Sequence, residues 1–150
     1  MQVNAERLDV LLVEDNTNDR DLAIHAMRRA GYAPKLEHIS DGARALDYLF
    51  GTGDFAGRDL SLTPRLVLLD LKLPKMNGIE VLKSLRNDER TRMLPVVIMT
   101  SSREAHDVLE SYRNGVNGFV VKPIDFMVYS QVVAEICHYW LEVNIAPSAA

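Results

Sequence analysis

Short apolar runs that stop at acidic or hydroxyl residues recur along this chain and alternate with amphipathic segments. Most of the runs are continuous, which is typical of strands buried on both faces of a sheet. The predicted strands are 8–15, 35–40, 66–70, 95–102 and 118–123, and the predicted helices are 18–31, 41–51, 78–88, 103–115 and 125–143. Asp41 and Asp125 are the expected N-caps of the second and fifth helices.

The strict alternation of five strands with five helices predicts an α/β fold. We expect a single doubly wound, five-stranded parallel sheet flanked by five helices. A chain of 150 residues fits one domain, predicted over residues 1–150 with a core at about 8–143 and no output domain. In such sheets the functional site lies beyond the carboxyl ends of the strands, so the strand ends are the candidate site residues.

The composition of the chain argues against several classes of protein. The 17 basic and 21 acidic residues give a net charge of −4, which argues against an extended nucleic-acid-binding surface. No apolar run approaches the roughly 18 residues of a membrane span, and the amino terminus lacks the apolar core of a signal peptide. Cys137 is the only cysteine, so no intramolecular disulfide can form. We expect a soluble, cytoplasmic protein that binds neither nucleic acid nor membranes.

The strand ends bring carboxylates, a hydroxyl and an ammonium to one edge of the sheet: Glu14, Asp15, Asp70, Thr100 and Lys122. Close carboxylates repel unless a cation lies among them, and oxygen ligands suit Mg²⁺. Lys122 can hold the oxygen of an anion, and Thr100 supplies a donor. This set is typical of a phosphoryl site, in which a carboxylate can act as the nucleophile and form an aspartyl phosphate.

Each of these residues also has a purely structural interpretation. Asp15 could cap a helix, Asp70 could cap the turn before Pro74, and Lys122 with Pro123 could form a surface turn. Their arrival together at consecutive strand ends of one α/β pattern favours the functional interpretation.

The motifs LLVEDN, LLDLKLPKMNG, VIMTSS and FVVKP resemble those of the receiver domain of two-component response regulators. The resemblance runs from about Val10 to Trp140 and includes the spacings of 55, 30 and 22 residues that separate Asp15, Asp70, Thr100 and Lys122. It implies the flavodoxin-like receiver fold and a phosphoryl transfer to Asp70 from the phosphohistidine of a sensor histidine kinase. Such a protein is not an enzyme, although it assists its own phosphorylation and autodephosphorylation.

The resemblance also assigns roles to individual residues. The implied Mg²⁺ ligands are Glu14 through water, Asp15, Asp70 and the backbone carbonyl of Lys72. The implied phosphate contacts are Thr100, Lys122 and the backbone N–H groups of Leu71 and Ser101. The implied switch residues are Thr100 and Phe119. Position 72 carries Lys where Asn is frequent, and we hypothesise that this ammonium alters the lifetime of the phosphoryl group.

Two features resemble small stand-alone regulators that pair with phytochrome-type histidine kinases. The spacer 51–64 exceeds the usual loop length, although a surface insertion would also be tolerated. The chain ends soon after HYWLEV, so output is expected through contact with a downstream protein target or a phosphotransfer protein. The last helix has more apolar residues than one buried stripe needs: Met127, Val128, Val132, Tyr139 and Val143. We expect a homodimer through the last two helices and the last strand, with a deeply buried core helix as the alternative.

Three other classes of protein share part of this pattern. A phosphatase of the haloacid-dehalogenase type would need a second Asp at position 72, where this chain has Lys. A nucleotide-binding domain would need a glycine-rich loop after the first strand, where this chain has the acidic stretch VEDNTND. A phosphate-independent, receiver-like binding module usually lacks one of the acidic residues, and all are present here.

Overall fold

The computed structural model describes residues 7–147, and these residues form one sheet of five parallel strands with helices on both faces. The strands are β1 (Val10–Val13), β2 (Leu36–Ile39), β3 (Leu66–Leu69), β4 (Val96–Thr100) and β5 (Gly118–Val121). Their order in the sheet is β2-β1-β3-β4-β5, which is the doubly wound arrangement that the sequence predicted. Each strand is shorter than the predicted one, because the residues at the ends of the predicted range are not paired with a neighbouring strand.

The helices follow the strands in strict alternation. They are α1 (Thr17–Arg29), α2 (Gly42–Phe50), α3 (Gly78–Arg86), α4 (Ala105–Arg113) and α5 (Phe126–Cys137). The side chain of Asp41 accepts a hydrogen bond from the N–H of Arg44 at 2.7 Å, and the side chain of Asp125 accepts from the N–H of Met127 at 2.9 Å. Both predicted N-caps are confirmed, since each satisfies a backbone donor that the helix leaves free.

The core consists of two apolar layers, one on each face of the sheet. Alternate residues of β1 serve the two layers: Leu11 and Val13 pack with α2 and α3, whereas Val10 and Leu12 pack with α1 and α5. All four residues of β1 and of β3 are buried. These two central strands therefore hold the residues that follow them rigidly at the carboxyl edge of the sheet.

The last helix differs from its prediction. The α-helical hydrogen bonding stops at Cys137, and a π-helical segment, His138–Val143, follows. The N–H of Asn144 donates to the carbonyl of Tyr139 at 2.6 Å, which is the five-residue spacing of a π-turn. A guanidinium N–H of Arg65 donates to the carbonyl of Leu141 and gives this last segment a tertiary partner. Apolar periodicity carries no information about such a contact.

The spacer 51–64 is an ordered loop with a short 3₁₀ turn at Gly53–Phe55. Arg58 organises it: its Nε donates to the carbonyl of Tyr48 at 2.6 Å, and its Nη1 donates to the carbonyl of Leu62 at 3.1 Å. The guanidinium carbon of Arg58 also lies 4.2 Å from the centre of the Tyr48 ring. The loop is therefore attached to the end of α2 by specific contacts.

No helix within residues 7–147 combines the length and the apolar character that a membrane span requires. The domain was predicted over residues 1–150. Its residues 1–6 and 148–150 lie outside the described part of the chain.

Candidate phosphoryl site

The two central strands deliver three carboxylates to the carboxyl edge of the sheet. Val13 and Leu69, the last residues of β1 and β3, are paired, so the residues that follow them are neighbours. Carboxylate oxygens of Glu14, Asp15 and Asp70 lie within 4.8 Å of one another. Glu14 is buried, Asp70 is partly buried and Asp15 is exposed. The structure thus brings the three predicted acidic residues into one cluster.

Lys122, which follows β5 immediately, contacts two members of this cluster. Its Nζ donates hydrogen bonds to Glu14 Oε1 at 2.5 Å, to Asp70 Oδ2 at 2.9 Å and to Asp19 Oδ2 at 2.9 Å. The Lys122 side chain is only 14% exposed, so these charge-assisted bonds are less screened by water than surface ion pairs are. An ammonium has three N–H donors, and carboxylates engage all three.

Asp19 is the site residue that the sequence analysis missed. It lies in the first turn of α1, four residues after Asp15, and its N–H donates to the side chain of Asn16 at 3.1 Å. The helix after β1 begins over the carboxyl edge of the sheet, so the residues of its first turn lie near the strand ends. An acidic residue in the first turn of that helix was therefore a usable signal.

The electrostatics of the cluster shift the pKa values of Glu14 and Asp70 in opposite directions. Burial, reinforced by the neighbouring Asp70 carboxylate, raises the pKa of Glu14 to about 8. Burial opposes ionisation of Asp70 too, but the proximity of Glu14 and the hydrogen bond from Lys122 outweigh it and hold the Asp70 pKa below its usual value. Burial likewise disfavours the Lys122 ammonium, yet its three carboxylate partners raise its pKa. Asp70 is therefore an ionised carboxylate held against a cation.

The predicted switch residues lie on β4 and β5. Thr100 is fully buried; its carbonyl accepts from the N–H of Lys122 at 2.7 Å, and its Oγ1 accepts from the N–H of Ser102 at 3.3 Å. Ser102 Oγ in turn donates to Asp107 Oδ2 in α4 at 2.5 Å. Phe119 is partly buried and packs against the core layer under α2 and α3. Thr100 is thus connected to α4 through two consecutive hydrogen bonds.

The backbone after Asp70 is held by close packing. The N–H of Lys72 donates to Asp70 Oδ1 at 3.3 Å, and the carbonyl of Leu71 accepts from the N–H of Gly78 at 2.8 Å. A Cβ at Gly78 would lie 2.4 Å from the carbonyl oxygen of Asp70, so only glycine permits this approach. Leu71 is buried, whereas the side chains of Lys72 and Ser101 are exposed.

The donor set suits a hard divalent cation. Glu14 Oε2 is buried and has no hydrogen-bond partner among the residues that the structure describes. A buried carboxylate oxygen without a partner is costly, and a cation or its bound water would satisfy it. The neighbouring oxygens of Asp15 and Asp70 provide the anionic ligands that such a cation prefers.

Comparison with known proteins agrees with this geometry. Residues 10–134 match the family model described as response regulator receiver domain. The chain is 43% identical over 141 residues to the probable methanogenesis regulatory protein FilR2 of Methanothrix harundinacea, covering 94% of this chain and 88% of FilR2. It is 33% identical over 140 residues to the response regulator Rcp1 of Synechocystis sp., covering 93% of each chain.

Solved structures of response regulators are also similar to this chain. The phosphorylated cyanobacterial phytochrome response regulator RcpA superposes with a TM-score of 0.86 at 32% identity, covering 95% of this chain and 99% of RcpA. The Mn²⁺-bound form of Rcp1 superposes with a TM-score of 0.85 at 31% identity, covering 94% and 99% of the two chains. The chain therefore belongs to the response regulator receiver domain family of two-component signalling.

Proposed function

We propose that this receiver domain acts in a histidine-to-aspartate phosphorelay and that Asp70 is its phosphoacceptor. One observation carries the proposal: the Asp70 carboxylate lies at the end of the central strand, 2.9 Å from the Lys122 ammonium and beside Glu14 and Asp15. A nucleophilic carboxylate, a fixed cation and a set of metal-binding oxygens are the parts that phosphoryl transfer to an aspartate requires.

In the proposed reaction an oxygen of Asp70 attacks the phosphorus atom of a kinase phosphohistidine. The new bond is a carboxyl O–P bond, and the P–N bond breaks as the imidazole leaves with its electron pair. The Lys122 ammonium neutralises charge on the phosphoryl oxygens, and the Thr100 hydroxyl with the N–H groups of Leu71 and Ser101 donates to them. Phosphoryl transfer needs positioning and charge neutralisation. The rigid strand ends provide both, because they hold the Asp70 carboxylate and the Lys122 ammonium in place.

The metal in this proposal is Mg²⁺. Asp15, Asp70 and the backbone carbonyl of Lys72 would hold it directly, and Glu14 would hold it through water. Bound there, it would supply the charge that offsets the phosphoryl oxygens and the neighbouring carboxylates. The unpartnered oxygen of Glu14 supports this assignment.

We further propose a phytochrome-type sensor histidine kinase as the partner and a cytoplasmic location. The support is the similarity to RcpA, which is described as a cyanobacterial phytochrome response regulator. Output would occur through contact with a downstream protein target or a phosphotransfer protein.

A homodimer through α4, β5 and α5 is also proposed. Four of the five surplus apolar residues of the last helix are exposed, namely Met127, Val128, Tyr139 and Val143, whereas Val132 packs against the core. Leu109 and Tyr112 of α4 are exposed as well. Exposed apolar side chains on both elements are what a protein–protein interface there would use.

The central test is labelling with acetyl phosphate and Mg²⁺. The wild-type protein should gain one acyl phosphate, stable in acid and labile in base, detectable as a mobility shift on a phosphate-affinity gel. Asp70→Asn should gain none, while Asp88→Asn, a change at a partly exposed carboxylate outside the cluster, should be labelled normally. Labelling of Asp70→Asn at the wild-type rate would refute the assignment. Transfer from an autophosphorylated phytochrome-type kinase to the wild-type protein, and not to Asp70→Asn, tests the partner.

A further inference from the structure

The Lys122 ammonium has no free donor. Its three N–H groups are directed to Glu14, Asp19 and Asp70 at 2.5 to 2.9 Å. An ammonium offers three donors and no more. For Lys122 to hold a phosphoryl oxygen, as the proposed function requires, one of these three carboxylates must give up its hydrogen bond.

The three carboxylates differ in how readily they can be released. The Glu14 side chain is 4% exposed and that of Asp70 is 11% exposed, so neither can exchange Lys122 for bulk water. The Asp19 side chain is 36% exposed and can be rehydrated when its bond to Lys122 breaks. Its backbone stays fixed meanwhile, because its N–H is bound to the helix cap Asn16. Asp19 is thus the partner that water can most readily solvate once it leaves Lys122.

We propose that Asp19 is a positioning residue that holds Lys122 in the unphosphorylated protein and is displaced by the phosphoryl group. This inference rests on the proposed phosphoacceptor function. It adds that a carboxylate of the protein competes with the phosphoryl group for Lys122. Asp19 and the phosphoryl oxygens compete for the same N–H donor, and the Asp19 charge also repels the incoming anion. Asp19 therefore lowers the affinity of the site for a phosphoryl group.

The test uses beryllofluoride, a stable mimic of a phosphoryl group on a carboxylate, titrated into Mg²⁺-saturated full-length protein and followed by amide NMR. Asp19→Asn keeps the size of the side chain and removes its charge. It should lower the half-saturating beryllofluoride concentration by roughly three- to tenfold, the range for one partly exposed charged hydrogen bond. Asp19→Glu, which retains the carboxylate, should stay closer to the wild-type protein.

A matched control removes a charge from the same helix without touching Lys122. Asp21 has a side chain that is 67% exposed and pairs with Arg20, so Asp21→Asn should leave the half-saturating concentration unchanged. Equal effects of Asp19→Asn and Asp21→Asn, no effect of either, or weaker binding in Asp19→Asn would each overturn the proposal. If the wild-type protein binds no beryllofluoride and gains no phosphoryl group from acetyl phosphate, the phosphoacceptor function fails with it. If the wild-type protein does both, only the role of Asp19 is at stake.

Discussion

Gly78 at the start of α3 links the packing of the fold to the chemistry of the site. A Cβ built on Gly78 would lie 2.4 Å from the carbonyl oxygen of Asp70 and 2.9 Å from the Cα of Leu71. Both contacts are with backbone, so no side-chain rotation can relieve them. Gly78→Ala therefore has to displace the segment that carries Asp70.

The size of the effect follows from two opposing contributions. Overpacking of a well-packed site costs about 1–3 kcal/mol. Replacing glycine by alanine in a helix raises the free energy of unfolding by at most about 1 kcal/mol, because the unfolded chain has less entropy and alanine has the better helix propensity. We expect Gly78→Ala to lower the free energy of unfolding by about 1–2 kcal/mol, and to slow labelling by acetyl phosphate because Asp70 moves relative to Lys122.

Urea denaturation in the presence of EDTA measures the first effect without a contribution from metal binding, and a phosphate-affinity gel measures the second. Gly118→Ala is the matched control. A Cβ there would meet Val97 side-chain atoms at 3.7 and 3.9 Å, which is ordinary contact, so labelling should be unchanged. A Gly78→Ala protein with wild-type stability and labelling rate would refute the reasoning.

Four further predictions concern other parts of the molecule. Burial raises the pKa of Cys137 to about 11, so from pH 7 to 9 its thiol stays protonated and should react with a disulfide reagent at least about 100-fold more slowly than in urea; equal rates would contradict this. Met127→Glu should weaken the proposed dimer in light-scattering measurements, whereas Met93→Glu, exposed outside that surface, should not; a wild type that is monomeric at high concentration, phosphorylated or not, would refute the dimer. Arg58→Met should cost about 1–2 kcal/mol in urea denaturation through lost hydrogen bonds and ring contact, with labelling unchanged; full stability would show that the spacer contacts contribute nothing. Lys72→Asn should change the autodephosphorylation rate by roughly twofold or more, and an unchanged rate would exclude a role for this ammonium.

The identity of the strands and the composition of the acidic cluster could be predicted from the sequence because both depend on local patterns. Continuous apolar runs identified the buried strands, and parallel strands place their carboxyl ends at one edge. That rule alone was enough to bring Glu14, Asp15, Asp70 and Lys122 together. The caps Asp41 and Asp125 were equally predictable, since a cap depends only on residues within one helical turn.

Other features depend on distances between segments far apart in the chain, and only the tertiary structure decided them. The π-helical end of the last helix coincides with a contact from Arg65, which lies 76 residues away from Leu141. Asp19 joins the site through Lys122, 103 residues later. Hydrophobic periodicity predicts which side chains are buried, but it does not predict which polar atoms form contacts in the folded protein. The sequence by itself therefore determined the fold and the acidic cluster, while the saturation of the Lys122 ammonium by three carboxylates came from packing.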